Sequence, residues 1–479
     1  MGGPLRLTAV PLQRAGALAI AHLAGVEAPR TVTENELDAV IERMTVDAVN
    51  AASARTTRGP AADPHAWWWG VLFGHFPNAR EVHPKRHQRE RDAEELGVGL
   101  DEARERWVRE HRNAPAADPE LGPCAFCGHD ACRVVDKSSW PLLPRADLFN
   151  DVPPRTDPGT PVCRGCLAAG WAVPYASRRI GRLFVAFDSE DTDLLAELVG
   201  QHVDANLQLI AAAASSDLHG GYEDPAHIAY AALGRYPQPP RGDLRAVLYL
   251  NDAQEPEAEV RWLDTRRCRF AQRAQPSSPR FGRAVSALDA RLTVRGRDGE
   301  VRTPGMRQVA RRLLGDPEPH LLRAVRDTAA ADLASAPAVL DLAIAYVEGV
   351  MDATTDTKRI TDIGDRVALL ISATEAKGDL RSFQESSRSP AALQRWLRQA
   401  QVEWLLAGDH DRPLVDDDDF LALFPAAHDT AEAWWRMNLL FTSVVAALFR
   451  RGWLQRQDAE TLAEVRDAED APDDEEFEQ

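Results

Sequence analysis

The feature that most constrains this chain is a doubled Cys-x-x-Cys, Cys124-Ala-Phe-Cys127-Gly128 and, after 35 intervening residues, Cys163-Arg-Gly-Cys166. Two thiolates two residues apart, with a glycine permitting a tight turn, aim both sulfurs at one ion. Two such halves supply the closed four-sulfur set of a structural zinc. Cys124, Cys127, Cys163 and Cys166 are therefore predicted to hold one structural Zn2+ and to organise residues 119–178 around it. The competing reading makes one pair a redox dithiol. His129 and Cys132 are rival ligands, but their spacing does not recur around Cys163. Cys268 stands alone and reads as a packed thiol.

The chain has 479 residues, which sets an expectation of two to four domains, and 44% of them are hydrophobic. Its opening residues lack a basic segment followed by an apolar run, and six cysteines without such a leader point to a reducing compartment, so the expected location is cytoplasmic. The most apolar segment, Leu439–Phe449, is about half the ~20 residues a membrane span needs. It reads as a buried helix, and no membrane association is expected.

Charge is polarised along the chain. The net is −18, yet residues 261–312 hold fourteen arginines against Asp264, Asp289, Asp298 and Glu300, a net of +10. From Asp458 to Gln479, eleven acidic residues face Arg466 alone, a net of −10. A run of that composition reads as a disordered, solvated tail. The Arg-rich stretch, with Trp262, Phe270 and Phe281 interleaved, has the composition of a nucleic-acid groove, in which guanidinium forks meet phosphates and rings stack on bases. Arg261, Arg266, Arg267, Arg269, Arg273, Arg280, Arg283, Arg295 and Arg297 are the candidate contacts there, joined by Arg388, Arg395 and Arg398 further on. The competing reading is an arginine surface facing an acidic protein, or facing this chain's own tail.

Periodicity gives the organisation. Leu12–Ala24 is an Ala/Leu-rich run closed by Gly25, and Thr33 with Glu36 forms a capping box ahead of Leu37, Val40, Ile41 and Met44. Trp67-Trp68-Trp69 reads as a core or interface anchor rather than a ligand platform. Residues 101–112 read as a surface helix and Pro115–Pro123 as a linker. Gly181–Phe187 reads as a strand, followed by a long helix to about Ala213 capped by Ser189. Strands follow at 245–250 and 258–263, then an irregular Arg-rich region, then a helix opened by Thr303-Pro304 and ended by Gly315. From about 337 to 456 the pattern is helical, with helices at 338–352, 360–375, 390–407, 417–424 and 429–451. Asp416–Asp419 reads as a helix start, since four consecutive carboxylates cannot converge on one ion. The expected fold is α+β multidomain, a mixed N-terminal region with a zinc-ribbon-like insertion and a C-terminal helical bundle. Its parts are 1–118 mostly helical, 119–178 the four-cysteine module, 179–330 an α/β region carrying the Arg-rich segment, 331–456 the bundle and 457–479 the tail.

Catalysis is not expected. Two CxxC pairs also frame some HNH-type nucleases, but that chemistry needs a histidine base and further ligands between the pairs. The only histidine there is His129, beside the first pair, and Asp147, Asn150 and Asp151 make no site without a base. No P-loop, GxSxG, HExxH or kinase-like set occurs.

The order of these features resembles a known family. The opening LTAVPLQRAG (Leu7–Gly16), the capping-box helix, CAFCG, VCRGCLAAGWAVPYAS (Val162–Ser177), GRLFVAFDSEDTDLLAELV and RAVLYLND come in succession. A late bundle with a tryptophan-containing apolar helix follows. This succession is similar to the CXXC–CXXC family of CRISPR-associated proteins, the large subunit of type I CRISPR interference complexes (Cascade). The resemblance covers residues 5 to about 455; Arg14 stands where that family typically has an acidic residue. It implies a non-catalytic subunit of an RNA-guided surveillance complex in antiviral defence. Such a subunit sits at the guide RNA's 5′ end, helps read the motif flanking the target, holds the DNA strands as the R-loop opens, and docks a helicase–nuclease. The implied partners are guide RNA, target DNA, the other Cascade subunits and that helicase–nuclease. Guide pairing would supply sequence specificity and the protein a positive channel. The remaining alternatives are a zinc-containing scaffold or regulatory subunit of another bacterial complex and, more remotely, a zinc-framed nuclease.

Overall fold

The computed structural model describes residues 5–54, 63–79, 81–83, 97, 99–143, 159–214, 224–252, 256–315, 318–373, 378–408, 410–424 and 431–453. Asp147, Asn150, Asp151, Gly220, Gly221 and the acidic tail lie outside these. The chain is α+β and divides into two compact units, residues 1–265 and 266–479. The sequence reading placed a break at 330/331; the contacts place it at Thr265/Arg266, because the helices of the Arg-rich segment pack with the later ones.

In the first unit, α1 (Pro11–Ala24), α2 (Glu34–Ser53), α3 (Ala66–His75) and α4 (Leu100–His111) precede a two-stranded ladder, β1 (Arg133–Val135) with β2 (Thr160–Val162). Then come α5 (Arg164–Ala176), β3 (Arg178–Ile180), β4 (Leu183–Ser189), α6 (Thr192–Ala211), α7 (Pro225–Leu233), β5 (Leu244–Leu250) and β6 (Glu257–Leu263). Strands β3 to β6 form an antiparallel meander in that order. The Thr33–Glu36 capping box starts α2 as expected, and Gly25 closes α1 in the left-handed region at φ 72°.

Strand β4 is buried on both faces, which explains its unbroken apolar run. Phe184 meets His75 of α3 at 4.2 Å between ring centres, and Phe187 meets His202 of α6 at 5.8 Å on the other face. Helix α6 is capped by Asp191, whose side chain accepts from the Leu194 amide; Ser189, the expected cap, ends the strand and its hydroxyl accepts from the Asp191 amide. Trp67 and Trp68 are buried, so the tryptophan run is a core anchor.

The second unit is helical: α8 (Thr265–Arg273), α9 (Gly282–Leu292), a hairpin of β7 (Val294–Arg295) and β8 (Val301–Thr303), and α10 (Gly305–Leu314). Next come α11 (Glu318–Ala331), α12 (Ala336–Gly349), α13 (Thr354–Ala373), α14 (Gly378–Ser386), α15 (Pro390–Leu406), α16 (Asp417–Leu423) and α17 (Ala431–Arg450). The region expected to be irregular thus holds two helices. Their apolar stripes are short, Cys268, Phe270 and Ala271 in α8 and Ala284, Val285 and Leu288 in α9. Helix α17 is the hub, packing against α11, α12 and α13 through Leu439, Leu440, Val444 and Leu448, all at most 1% exposed. Asp416 caps α16 in a box with Asp419, as the dipole argument required. Among the described residues no helix is long and apolar enough to cross a membrane.

Candidate metal centre

The two cysteine pairs reach one point by different local structures. In the first, Cys124-Ala-Phe-Cys127-Gly128 is a knuckle. The Gly128 amide donates to the Cys124 carbonyl at 2.9 Å, and the Cys124 amide donates to the His129 carbonyl at 2.6 Å. Gly128 has φ 77°, so a side chain there would be strained. The ladder then carries the chain back to the second pair: Cys132 donates its amide to Val162, and Ala125 to Pro161. The second pair is not a knuckle. Cys163 is the N-cap of α5, its sulfur accepting from the Cys166 amide at 3.5 Å, and Gly165 lies in the first helical turn. Knuckle and helix start therefore face each other, where a symmetrical ribbon would have two knuckles.

All four sulfurs lie within 4.8 Å of one another, and the Cys127 and Cys163 sulfurs are 3.4 Å apart. A tetrahedral ion with metal–sulfur bonds of ~2.3 Å requires sulfur–sulfur distances of about 3.8 Å. The cluster brackets that value, and no disulfide joins the pairs. Cys124, Cys163 and Cys166 are buried and Cys127 is half-buried. Electrostatics point the same way. Hydrogen bonds from Cys127, Cys163 and Cys166 hold the Cys124 thiol far below its ordinary range, while bonding to Cys124 holds the Cys163 and Cys166 thiols above theirs. The protons of Cys163 and Cys166 favour thiolate at Cys124 and, less strongly, at Cys127, whose thiol is lowered to about 7; four thiolates together need a cation. His129 and Cys132 are not in the cluster; His129 contributes only its carbonyl, and burial pushes the Cys132 thiol up to about 11.

Three supports escape a reading of the cysteines alone. Gln13 is fully buried in α1. Its amide donates to the Cys166 sulfur at 3.8 Å and to the Arg6 carbonyl at 2.6 Å, and its oxygen accepts from Thr8. The Trp140 indole donates to the Cys166 carbonyl at 2.9 Å and meets the Phe126 ring at a tilt, 4.7 Å between centres. Arg164 pairs with Glu34 and Asp38 of α2. Such outer partners fix the orientation of metal ligands. Helices α1 and α5 cross so closely that a Cβ at Gly16 would lie 2.0 Å from the Ala169 carbonyl oxygen. A signal for Gln13 is present in the sequence, since it shares a helical stripe with Ala17 and Ile20, where a polar side chain needs a partner.

The candidate nucleic-acid residues are distributed more widely. Arg266, Arg269 and Arg273 share the exposed face of α8, while Arg267 is half-buried. Arg280 lies over the Phe281 ring at 4.8 Å, and Arg283 donates to the Ala334 carbonyl at 2.7 Å. Arg295 and Arg297 are exposed on the hairpin. Arg388, Arg395 and Arg398 are exposed around α14 and α15, Arg398 over Phe420 at 5.3 Å. Arg261 belongs to the first unit, on β6, paired with Glu259. The expected aromatic interleaving is corrected: Phe270 and Phe281 are 0% and 3% exposed and build the core, leaving Trp262, on β6, as the exposed ring. Cys268 is buried, as expected of a packed thiol. No protein-family model matches this chain, and neither does any curated protein.

Proposed function

We propose that the protein is a non-catalytic, zinc-structured large subunit of an RNA-guided interference complex, working in the cytoplasm with guide RNA, target DNA and companion subunits. The four-cysteine centre holds one Zn2+ and fixes the α1–α5 crossing, and its closed sulfur set leaves no open position for chemistry. The observation that carries nucleic-acid binding is the outward display of arginines on α8 and the β7–β8 hairpin, in a segment where thirteen arginines (266–312) face three acids. With Phe270 and Phe281 buried, that contact is to phosphate rather than to bases. Sequence specificity comes from guide pairing, and the positive surface holds the strands as they part.

Two measurements test this. Full-length tagged protein recovered from its native cells is expected to carry repeat-derived RNA and companion subunits; companion proteins without RNA would give the scaffold reading the lead. Binding of matched targets is expected to weaken steeply with salt, and replacing Arg266, Arg269 and Arg273 with Ala to flatten the slope of log K against log salt by about 0.7–0.9 per lost phosphate contact. An unchanged slope assigns this face to protein. The scaffold reading has its own support in β6, an edge strand exposed from Glu257 to Trp262, with Val260 and Trp262 48% and 62% exposed.

A further inference from the structure

We infer that the acidic segment Asp458–Gln479 docks on the arginine face of residues 266–312 within the same chain, an intramolecular polyanion covering the surface proposed above for nucleic acid. The competition part of this inference rests on that proposed function; the docking itself does not.

Three observations carry it. First, the two charges match in size and oppose in sign. Residues 266–312 carry a net of +10 and residues 458–479 a net of −10. Second, the arginines are displayed rather than consumed in the core. Arg266, Arg269 and Arg273 recur at i, i+3 and i+7 on the solvent side of α8, Arg295, Arg297 and Arg302 are exposed on the hairpin, and Arg311 is exposed on α10. Asp352, 3.9 Å from Arg266, is itself 79% exposed, so that pair lies at the surface. Third, the tether is short and anchored in the right unit. Trp453, 5% exposed, ends the described part of the second unit directly after α17. Asp473 stands 20 residues beyond it, a maximum reach of roughly 70 Å, against a radius of gyration of about 16 Å for a body of this size. Every point of the arginine face is within range. Tethering raises the local concentration of the acidic segment to the order of millimolar.

The chemistry of the occupant follows from what an arginine face binds. Carboxylates accept the same forked N–H pairs as phosphates but carry less charge per group and make no stacked duplex. The acidic segment is thus a weak, always-present competitor. It admits a long polyanion that releases many counterions and turns away short or partial contacts. A net-acidic chain that must bind one nucleic acid among many gains discrimination from such a cover.

The test uses the full chain with a photo-reactive benzoylphenylalanine in place of Phe477. At low salt, cross-linked peptides are expected to map to residues 265–312. The cross-link is expected to fall at least about five-fold at 0.5 M salt, as screening requires. It is expected to fall likewise in Asp473→Asn, Asp474→Asn, Glu475→Gln, Glu476→Gln combined, and in Arg266→Ala, Arg269→Ala, Arg273→Ala combined. Cross-links mapping elsewhere, or unchanged by salt and by both variants, overturn the docking. A fluorescent single-stranded 20-mer of thymidylate then separates the two claims. If docking holds, the chain with the four tail substitutions, whose acidic segment falls from a net of −10 to −6, is expected to bind the oligonucleotide about ten-fold more tightly than wild type at low salt. If the cross-link maps to the arginine face but the oligonucleotide binds neither chain, docking stands and the nucleic-acid reading falls.

Discussion

Both units bury an apolar core, and they differ in what else they bury. The first buries charge: Glu81, Arg104, Arg112, Lys137 and Asp188 are all at most 4% exposed, and the histidines His75 and His202 lie fully inside. The second unit, among its described residues, is held by aliphatic stripes on long helices, with Asp419 its most buried acid at 9% exposed. A buried charge is tolerated only when its partners are fixed in place, so the first unit depends on a few long-range contacts. The second depends on many interchangeable ones. The four-cysteine cluster belongs with the first strategy, since its sulfurs come from distant parts of the chain and Cys166 lies beside the fully buried amide of Gln13.

The sharpest way to break that contrast is at Asp188. It accepts from Arg14 at 2.8 Å and pairs with Arg245 across the strand, while the same Arg14 donates to the Ser189 carbonyl. Replacing Asp188 with Ala leaves two guanidiniums on an uncompensated site and is expected to cost about 3–5 kcal/mol. Hydrogen exchange read separately over each unit checks the claim: amides of the first unit should lose protection while those of α11 to α17 keep theirs. Equal loss in both units would show that the two strategies are not separate.

Acid offers a second, somewhat smaller effect. Burial holds His75 down to about 4 while the unfolded chain binds that proton near 6.5. The folded state thus binds fewer protons between those values, and stability must fall as pH drops from 6.5 toward 4, by roughly 3 kcal/mol for this group. Burial accounts for the cost, because desolvation disfavours the charged ring, and the Val71 carbonyl offsets it only in part. His75 Nδ1 lies 2.8 Å from the Val71 carbonyl, and Nε2 lies near Ser177 and Tyr249. Denaturant unfolding across that range should show His75→Gln with a slope about one proton shallower than wild type. An identical slope would mean that His75 is protonated without cost.

The contrast also explains what could be read in the sequence. The second unit announced itself because helix packing depends on periodicity, and helices at 338–352, 390–407 and 429–451 lie within a few residues of α12, α15 and α17. The four cysteines were equally legible, since ligand spacing is local. Trp140 was not, because its partner stands 26 residues away; Gln13 stands out as a polar side chain on the apolar stripe of α1, but its partner Cys166, 153 residues away, does not follow from that. Helices α8 and α9 were hidden by their own arginines, which interrupt the apolar stripe that periodicity detects. The boundary at Thr265/Arg266 was missed for the same reason: charge marked out a segment whose buried face belonged to the following helices. Ser189 and Asp191 are both sound caps by type, and only the length of β4 decides between them.

The central claim, that the cysteine cluster is a metal centre supporting the first unit, is tested most directly by elemental analysis of protein purified in reducing buffer without added metal. Wild-type chain is expected to hold one zinc per molecule. Cys163→Ser, which removes a ligand while its hydroxyl can still cap α5, is expected to hold under a tenth of that and, through loss of the metal, to lose protection in α1 and α5. Folded wild-type protein with no bound metal would contradict the account.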